Sequence, residues 1–144
     1  MRTIVLCFSI ASAVAVSGVG ASAAPPPNAC AMLSSSQLRT WFGKEMVPQP
    51  TAGIPQAQGC QWAPKDGSQG ALTLTIGPAR YYVAPSLGKG FKRLNGIGEK
   101  AYIVPSLGGW EAGAVKGNKV VGIRTPAVSQ NVAITVLKTL VAKV

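Results

Sequence analysis

The chain contains no histidine. That excludes Ser-His-Asp and Cys-His catalysis, histidine-based zinc sites and histidine pH switching together. Acidic residues are almost as scarce. Glu45, Asp66, Glu99 and Glu111 are the whole set of 4, against 14 Lys+Arg in 144 residues. Any carboxylate acid–base chemistry must draw on those four, and no two stand at close helical spacing. Asp66 sits in Pro64-Lys65-Asp66-Gly67, where its side chain is a natural turn former. With no histidine and so few carboxylates, neither a metal site nor a cofactor is expected. Charged residues make up 12% and hydrophobic ones 47%. A disordered polyelectrolyte has the reverse balance, so the chain folds.

Long apolar runs are also missing, with one exception. Ile4 to Val19 is apolar, follows the lone charge of Arg2, and leads to Ala21-Ser22-Ala23, an A-x-A site of the kind signal peptidase accepts. The run is short for a membrane span and is broken by Gly18 and Gly20. Residues 1–23 therefore read as a secretory signal peptide cut after Ala23, and no later segment is apolar enough to span a bilayer. Residues 24–29, with Pro25, Pro26 and Pro27, read as an extended lead-in. Residues 30–144 then form one domain, secreted or periplasmic.

Cysteine is limited to three residues. Cys7 lies in the signal, which leaves Cys30 and Cys60 to pair in an oxidising compartment. Closing that loop stabilises by about 3–4 kcal/mol on chain-entropy grounds. Pro27-Asn28-Ala29 before Cys30 does not fit a lipidation signal.

Ser34 with Gln37 reads as a capping box, Leu33 and Leu38 as a hydrophobic staple, and Gly43 as the C-terminal stop, which predicts a helix over Ser35 to Phe42. Met46 to Gly59, with three prolines, reads as loop. Cys60-Gln61-Trp62, Leu72 to Ile76 and Tyr102-Ile103-Val104 read as strands; Trp110 to Val115 and Val120 to Arg124 read as a hairpin turning at Gly117-Asn118. From Ser129 the spacing becomes helical, with Ala133, Val136, Leu137, Leu140, Val141 and Val144 on one face. The expected fold is α+β: a twisted antiparallel sheet of about five strands, with a short N-terminal helix and a C-terminal helix packed on it.

Three motifs are weighed against plainer readings. Gly96-Ile97-Gly98-Glu99-Lys100-Ala101 matches a loose dinucleotide pattern, but it lacks a following helix and a ribose-binding acid, so it reads as a tight turn entering a strand. Ser86-Leu87-Gly88-Lys89 matches S-x-x-K without the partner motifs that serine–lysine enzymes need. Tyr82-Val83-Ala84-Pro85-Ser86-Leu87-Gly88 recurs as Tyr102-Ile103-Val104-Pro105-Ser106-Leu107-Gly108, which reads as two similar strand-ending turns, since a solenoid needs more copies.

The densest basic group is Arg80, Lys89, Lys92 and Arg93, interleaved with Tyr81, Tyr82 and Phe91. The plain reading is a solvated loop that keeps a weakly charged protein soluble. The functional reading is an anion-binding patch for an envelope polymer or lipid surface.

Cys30 before a helix ending at Gly43, Cys60-x-Trp62, the Leu72-Thr73-Leu74 strand and Gly96-Ile97-Gly98-Glu99-Lys100-Ala101-Tyr102 together resemble small secreted proteins and lipoproteins of unknown function, of actinobacterial type. The resemblance spans most of residues 30–144, although the lipoprotein cysteine of many members is missing. It implies export and the disulfide, and it brings no activity. The expectation is an exported, non-enzymatic binding domain acting on an envelope protein or an anionic surface. The alternatives are a small carboxylate hydrolase of the envelope and a secreted inhibitor or immunity-type protein.

Overall fold

A computed structural model describes residues 28–51, 55–85 and 89–144. The proposed signal and residues 24–27 of the lead-in lie outside them, as does Ser86-Leu87-Gly88. After a 3-10 turn over Ala29–Ala31, the elements in chain order are α1 (Ser35–Phe42), β1 (Met46–Thr51), β2 (Gln58–Pro64), β3 (Leu72–Pro78), a second 3-10 turn (Ala79–Tyr81), β4 (Lys92–Leu94), β5 (Lys100–Ser106), β6 (Gly109–Lys116), β7 (Lys119–Thr125) and α2 (Gln130–Ala142). The strands form one antiparallel sheet in the order β1-β2-β3-β7-β6-β5-β4.

The helix signals act as the sequence predicts. The Ser34 side chain accepts from the Gln37 N–H, the Gln37 side chain accepts from the Ser34 N–H, and Gly43 ends α1 in the left-handed region at φ 67°. Ser129 caps α2 by accepting from the Val132 N–H. The Gly117-Asn118 turn joins β6 to β7, with Gly117 at φ 57°.

Seven strands replace the expected five, and the two additions have different causes. Met46 to Thr51 was expected to be loop because of its prolines, yet it is β1. Pro48 and Pro50 are two apart on an outer strand, so both ring nitrogens share the side away from β2, and no ladder bond is lost. β4 is three residues long, too short for alternation to register, and pairs along β5 from Lys92↔Ile103 to Leu94↔Ala101.

Period-two alternation divides the sheet into two faces. Trp62, Leu72, Leu74, Ile76, Ile103, Ala112, Ala114, Val121 and Ile123 point to one side, where α1, the first 3-10 turn and α2 close one continuous core. Ala133, Val136, Leu137, Leu140 and Val141 are the buried residues of α2, as the helical spacing predicts. Cys30 and Cys60 are disulfide-bonded with Cα atoms 5.1 Å apart, pinning the first 3-10 turn to the core side of β2. At the far end of the chain the Lys143 Nζ donates to the Met32 carbonyl at 2.5 Å. No helix among the described residues is long and apolar enough to cross a membrane.

Candidate functional site

The other side of the sheet carries no α-helix among the described residues. Tyr102, Val104 and Val115 point to it, yet they are buried and stand apart from the main core. Tyr102 is covered by the chain between β3 and β4. That chain brings Tyr82 edge-on to Tyr102 and stacks Phe91 on it, each with ring centroids 5.9 Å apart. The two tyrosines are the equivalent first residues of the internal echo. Only the second copy is a strand; Tyr82 to Pro85 is irregular chain, with the Tyr82 ring packed on Tyr102. The reading of two similar strand-ending turns is corrected on that point.

Tyr102 lies opposite Gly113 in the β5–β6 register, and its ring crosses the bare glycine backbone. Its hydroxyl donates to Glu111 Oε1 at 3.2 Å, while Arg124 Nε and Nη2 each approach Glu111 Oε2 at 3.1 Å. Burial first, then the adjacent carboxylate, hold the Tyr102 hydroxyl well above the usual tyrosine range. Burial raises Tyr82 as well, against the opposing pull of the Arg93 charge. Tyr102 is therefore a neutral hydrogen-bond donor at ordinary pH.

Two depressions flank the Tyr82 ring. The smaller is a cleft of about 200 Å³ walled by Tyr81, Tyr82 and Tyr102, with Gly77, Gly113 and Gly122 among its lining. The larger, about 460 Å³, runs toward β4 and is lined by Tyr82, Phe91, Arg93, Glu99 and Lys100.

The four sequence-predicted cations do not form one patch. Arg80 donates to the Gln56 side chain and places its guanidinium 4.9 Å over the Tyr81 ring, beside the smaller cleft. Arg93 points to the open face, opposite Tyr102 in the register. Lys92, one residue earlier, points to the other face, where its Nζ donates to Gln130 Oε1 at 3.0 Å. Lys89 is exposed in the approach to β4. Strand pleating separates Lys92 from Arg93, and counting charge along the chain could not show that. Sequence reasoning missed Lys100, the Glu111–Arg124 pair and the glycine lining. The alternation of β5 with β6 was the available signal, since it puts Tyr102, Glu111 and Gly113 on one face.

The carboxylates are dispersed. Glu45 pairs with Lys65 at 3.1 Å, Asp66 accepts from the Ser68 N–H and hydroxyl in its turn, and Glu99 accepts from the Gly117 N–H at 2.9 Å. Hydrogen bonds from Ser68 hold the Asp66 carboxyl below its usual value. Among the described residues no three His, Cys, Asp or Glu side chains gather to hold a metal ion. The Gly96 to Glu99 segment is the tight turn expected. Gly98 sits where a Cβ would fall 2.1 Å from the Val115 carbonyl oxygen, Gly96 turns the chain at φ 73°, and Ile97 is buried in the core, so turn geometry and packing account for the two glycines.

No family model, curated protein or solved structure matches the chain.

Proposed function

We propose that this is an exported, non-enzymatic binding domain that acts on an anionic partner of the cell envelope, a protein or a polymer or lipid surface, through the uncovered face of its sheet. Residues 1–23 would direct export and 24–29 would lead into the domain. The disulfide supports an oxidising destination. The observation that carries the reading is the cluster of Tyr82, Phe91 and Tyr102, gathered with Arg93 on a face that no described α-helix covers. Such a cluster contributes little to the main core, and aromatic side chains beside cations are common recognition elements. The Glu111 carboxylate on this face is neutralised by Arg124, so an approaching anion meets Arg93 and Lys100 without repulsion from it.

The test compares Arg93→Ala/Lys100→Ala on the open side with Lys119→Ala/Lys138→Ala elsewhere. Both lose the same formal charge. Each is titrated against anionic vesicles and a polyanion at low and physiological salt. The first pair is expected to lose more affinity in each titration, with steep salt dependence in the parent protein. Equal losses would leave net charge as the only determinant and overturn the reading.

A further inference from the structure

We infer that the tyrosine-walled cleft over Gly122 binds a small aromatic anion, one ring carrying a carboxylate or similar acidic group. The inference rests on the reading of the open face as the binding surface, and it names what that face recognises.

Size comes first. An apolar cavity of about 150 Å³ is enough to hold benzene. The cleft here is about 200 Å³, room for one ring and a substituent, below the volume that a drug-sized ligand fills. Its walls are the rings of Tyr81, Tyr82 and Tyr102, and Thr75 is the one polar side chain besides them in the lining. A sugar, with a hydroxyl on nearly every carbon, would leave most of those groups unpaired there. A flat apolar ring would not.

The floor separates a ligand site from ordinary packing. Packing within the chain explains two of its glycines. A Cβ on Gly113 would come within 2.7 Å of the Tyr102 ring, and one on Gly77 within 3.3 Å of Ala57. Gly122 has no such reason: nothing lies nearer than 4.0 Å to a Cβ built there. It faces Gly113 across the β6–β7 pair, in the interior of a central strand, where glycine weakens a sheet and marks the close approach of another group. The space above Gly122 is bounded by aromatic walls and filled by no side chain of the lining.

Charge decides the sign of the ligand. Three tyrosines around a slot would suit a cation over their faces, but the Arg80 guanidinium already occupies the Tyr81 face. No carboxylate lines the cleft. An acidic group on the ring therefore finds the Arg80 guanidinium beside the Tyr81 wall, where a cationic group would be repelled.

The experiment uses the chain from residue 24 and benzoate as the probe, followed by ligand-observed NMR and equilibrium dialysis. Benzyl alcohol serves as the uncharged ring and cyclohexanecarboxylate as the non-planar anion. Benzoate is expected to saturate one site in the low-millimolar range or tighter, with both comparators several-fold weaker. Gly122→Val fills the slot from its floor and should weaken benzoate at least ten-fold while the melting temperature holds or rises. Arg80→Ala should weaken benzoate several-fold and leave benzyl alcohol unchanged. Absence of saturable benzoate binding, or binding that Gly122→Val leaves intact, overturns the inference. If polyanion binding still depends on Arg93 and Lys100 in that case, the broader reading of the face survives. Benzoate binding without any such dependence sinks the broader reading and leaves the cleft.

Discussion

The two faces of the sheet are built from the same strands by different means. On the helix side, Trp62, Leu72, Leu74, Ile103, Val121 and Ile123 meet the apolar face of α2 and the disulfide-pinned N-terminal turn. Every large side chain there is matched by an element with its own periodicity. On the open side, Gly77, Gly113, Gly122 and Thr75 share the face with Tyr102, Val104 and Val115, and the Tyr102 ring is covered by irregular chain carrying Tyr82 and Phe91. The first face concentrates stability. The second leaves space, aromatic edges and charge, which is what a binding surface needs and a core avoids.

Breaking the helix side should therefore give the largest effect. The Cys30→Ser/Cys60→Ser variant releases the first 3-10 turn from β2. Loss of a native disulfide from a small secreted domain costs about 2–5 kcal/mol, which urea denaturation would read as a lower midpoint. Thiol labelling of the unreduced chain from residue 24 should give no signal. Two reactive thiols per chain would refute the pairing.

On the open face the aromatic cluster is the place to break. Gly113→Ala pushes a methyl group into the Tyr102 ring, and the ring has Tyr82 and Phe91 packed against it. Overpacking of this kind costs about 1–3 kcal/mol. A loss within error would mean that the aromatic cluster shifts freely and is no fixed part of the face.

How much of each face was legible follows the same division. Leu72 to Ile76 and Ala133 to Val141 announce their buried sides by period, and Ser34, Gln37 and Gly43 mark α1 by hydrogen-bonding chemistry that is local in sequence. The prolines of β1 misled because their tolerance depends on the strand being at an edge, a property of the assembled sheet. β4 is too short to carry a period. The cleft draws Ala57, Thr75, Tyr82, Tyr102 and Gly122 from five separate stretches of chain, and no local pattern brings those together. The basic cluster misled most, since Lys92 and Arg93 are neighbours in sequence and opposites in space.

A smaller effect tests the polar part of the open face. Tyr102→Phe removes the hydroxyl bond to Glu111, which keeps Arg124, so the loss at neutral pH should be about 1 kcal/mol. Its pH dependence is more specific. Burial raises the hydroxyls of Tyr82 and Tyr102, so in the native state both stay neutral beyond the pH at which an unfolded tyrosine ionises. Below about pH 10 both states hold the proton and the contribution is fully present; above it the unfolded chain ionises first and stability falls as pH rises. Tyr102→Phe should flatten that alkaline decline, measured as urea midpoints from pH 8 to 11. An unchanged slope would show that Tyr102 does not titrate differently in the two states.

The smallest expected change is the sharpest comparison, because it involves the other half of one residue pair. Gly122 and Gly113 are direct partners on adjacent strands and face the same side. Gly122→Ala gives the strand a side chain that meets no atom closer than 4.0 Å. Relative to alanine, glycine in a strand interior is destabilising by roughly 0.5–1 kcal/mol, so this variant should be stabilised by about that amount. Two methyl groups added to one cross-strand pair would then shift the urea midpoint in opposite directions. Packing against Tyr102 accounts for the sign at Gly113, and empty space above the backbone accounts for the sign at Gly122. If Gly122→Ala instead destabilises the chain as Gly113→Ala does, the floor of the cleft is closed in solution and the open face has no room for a ring.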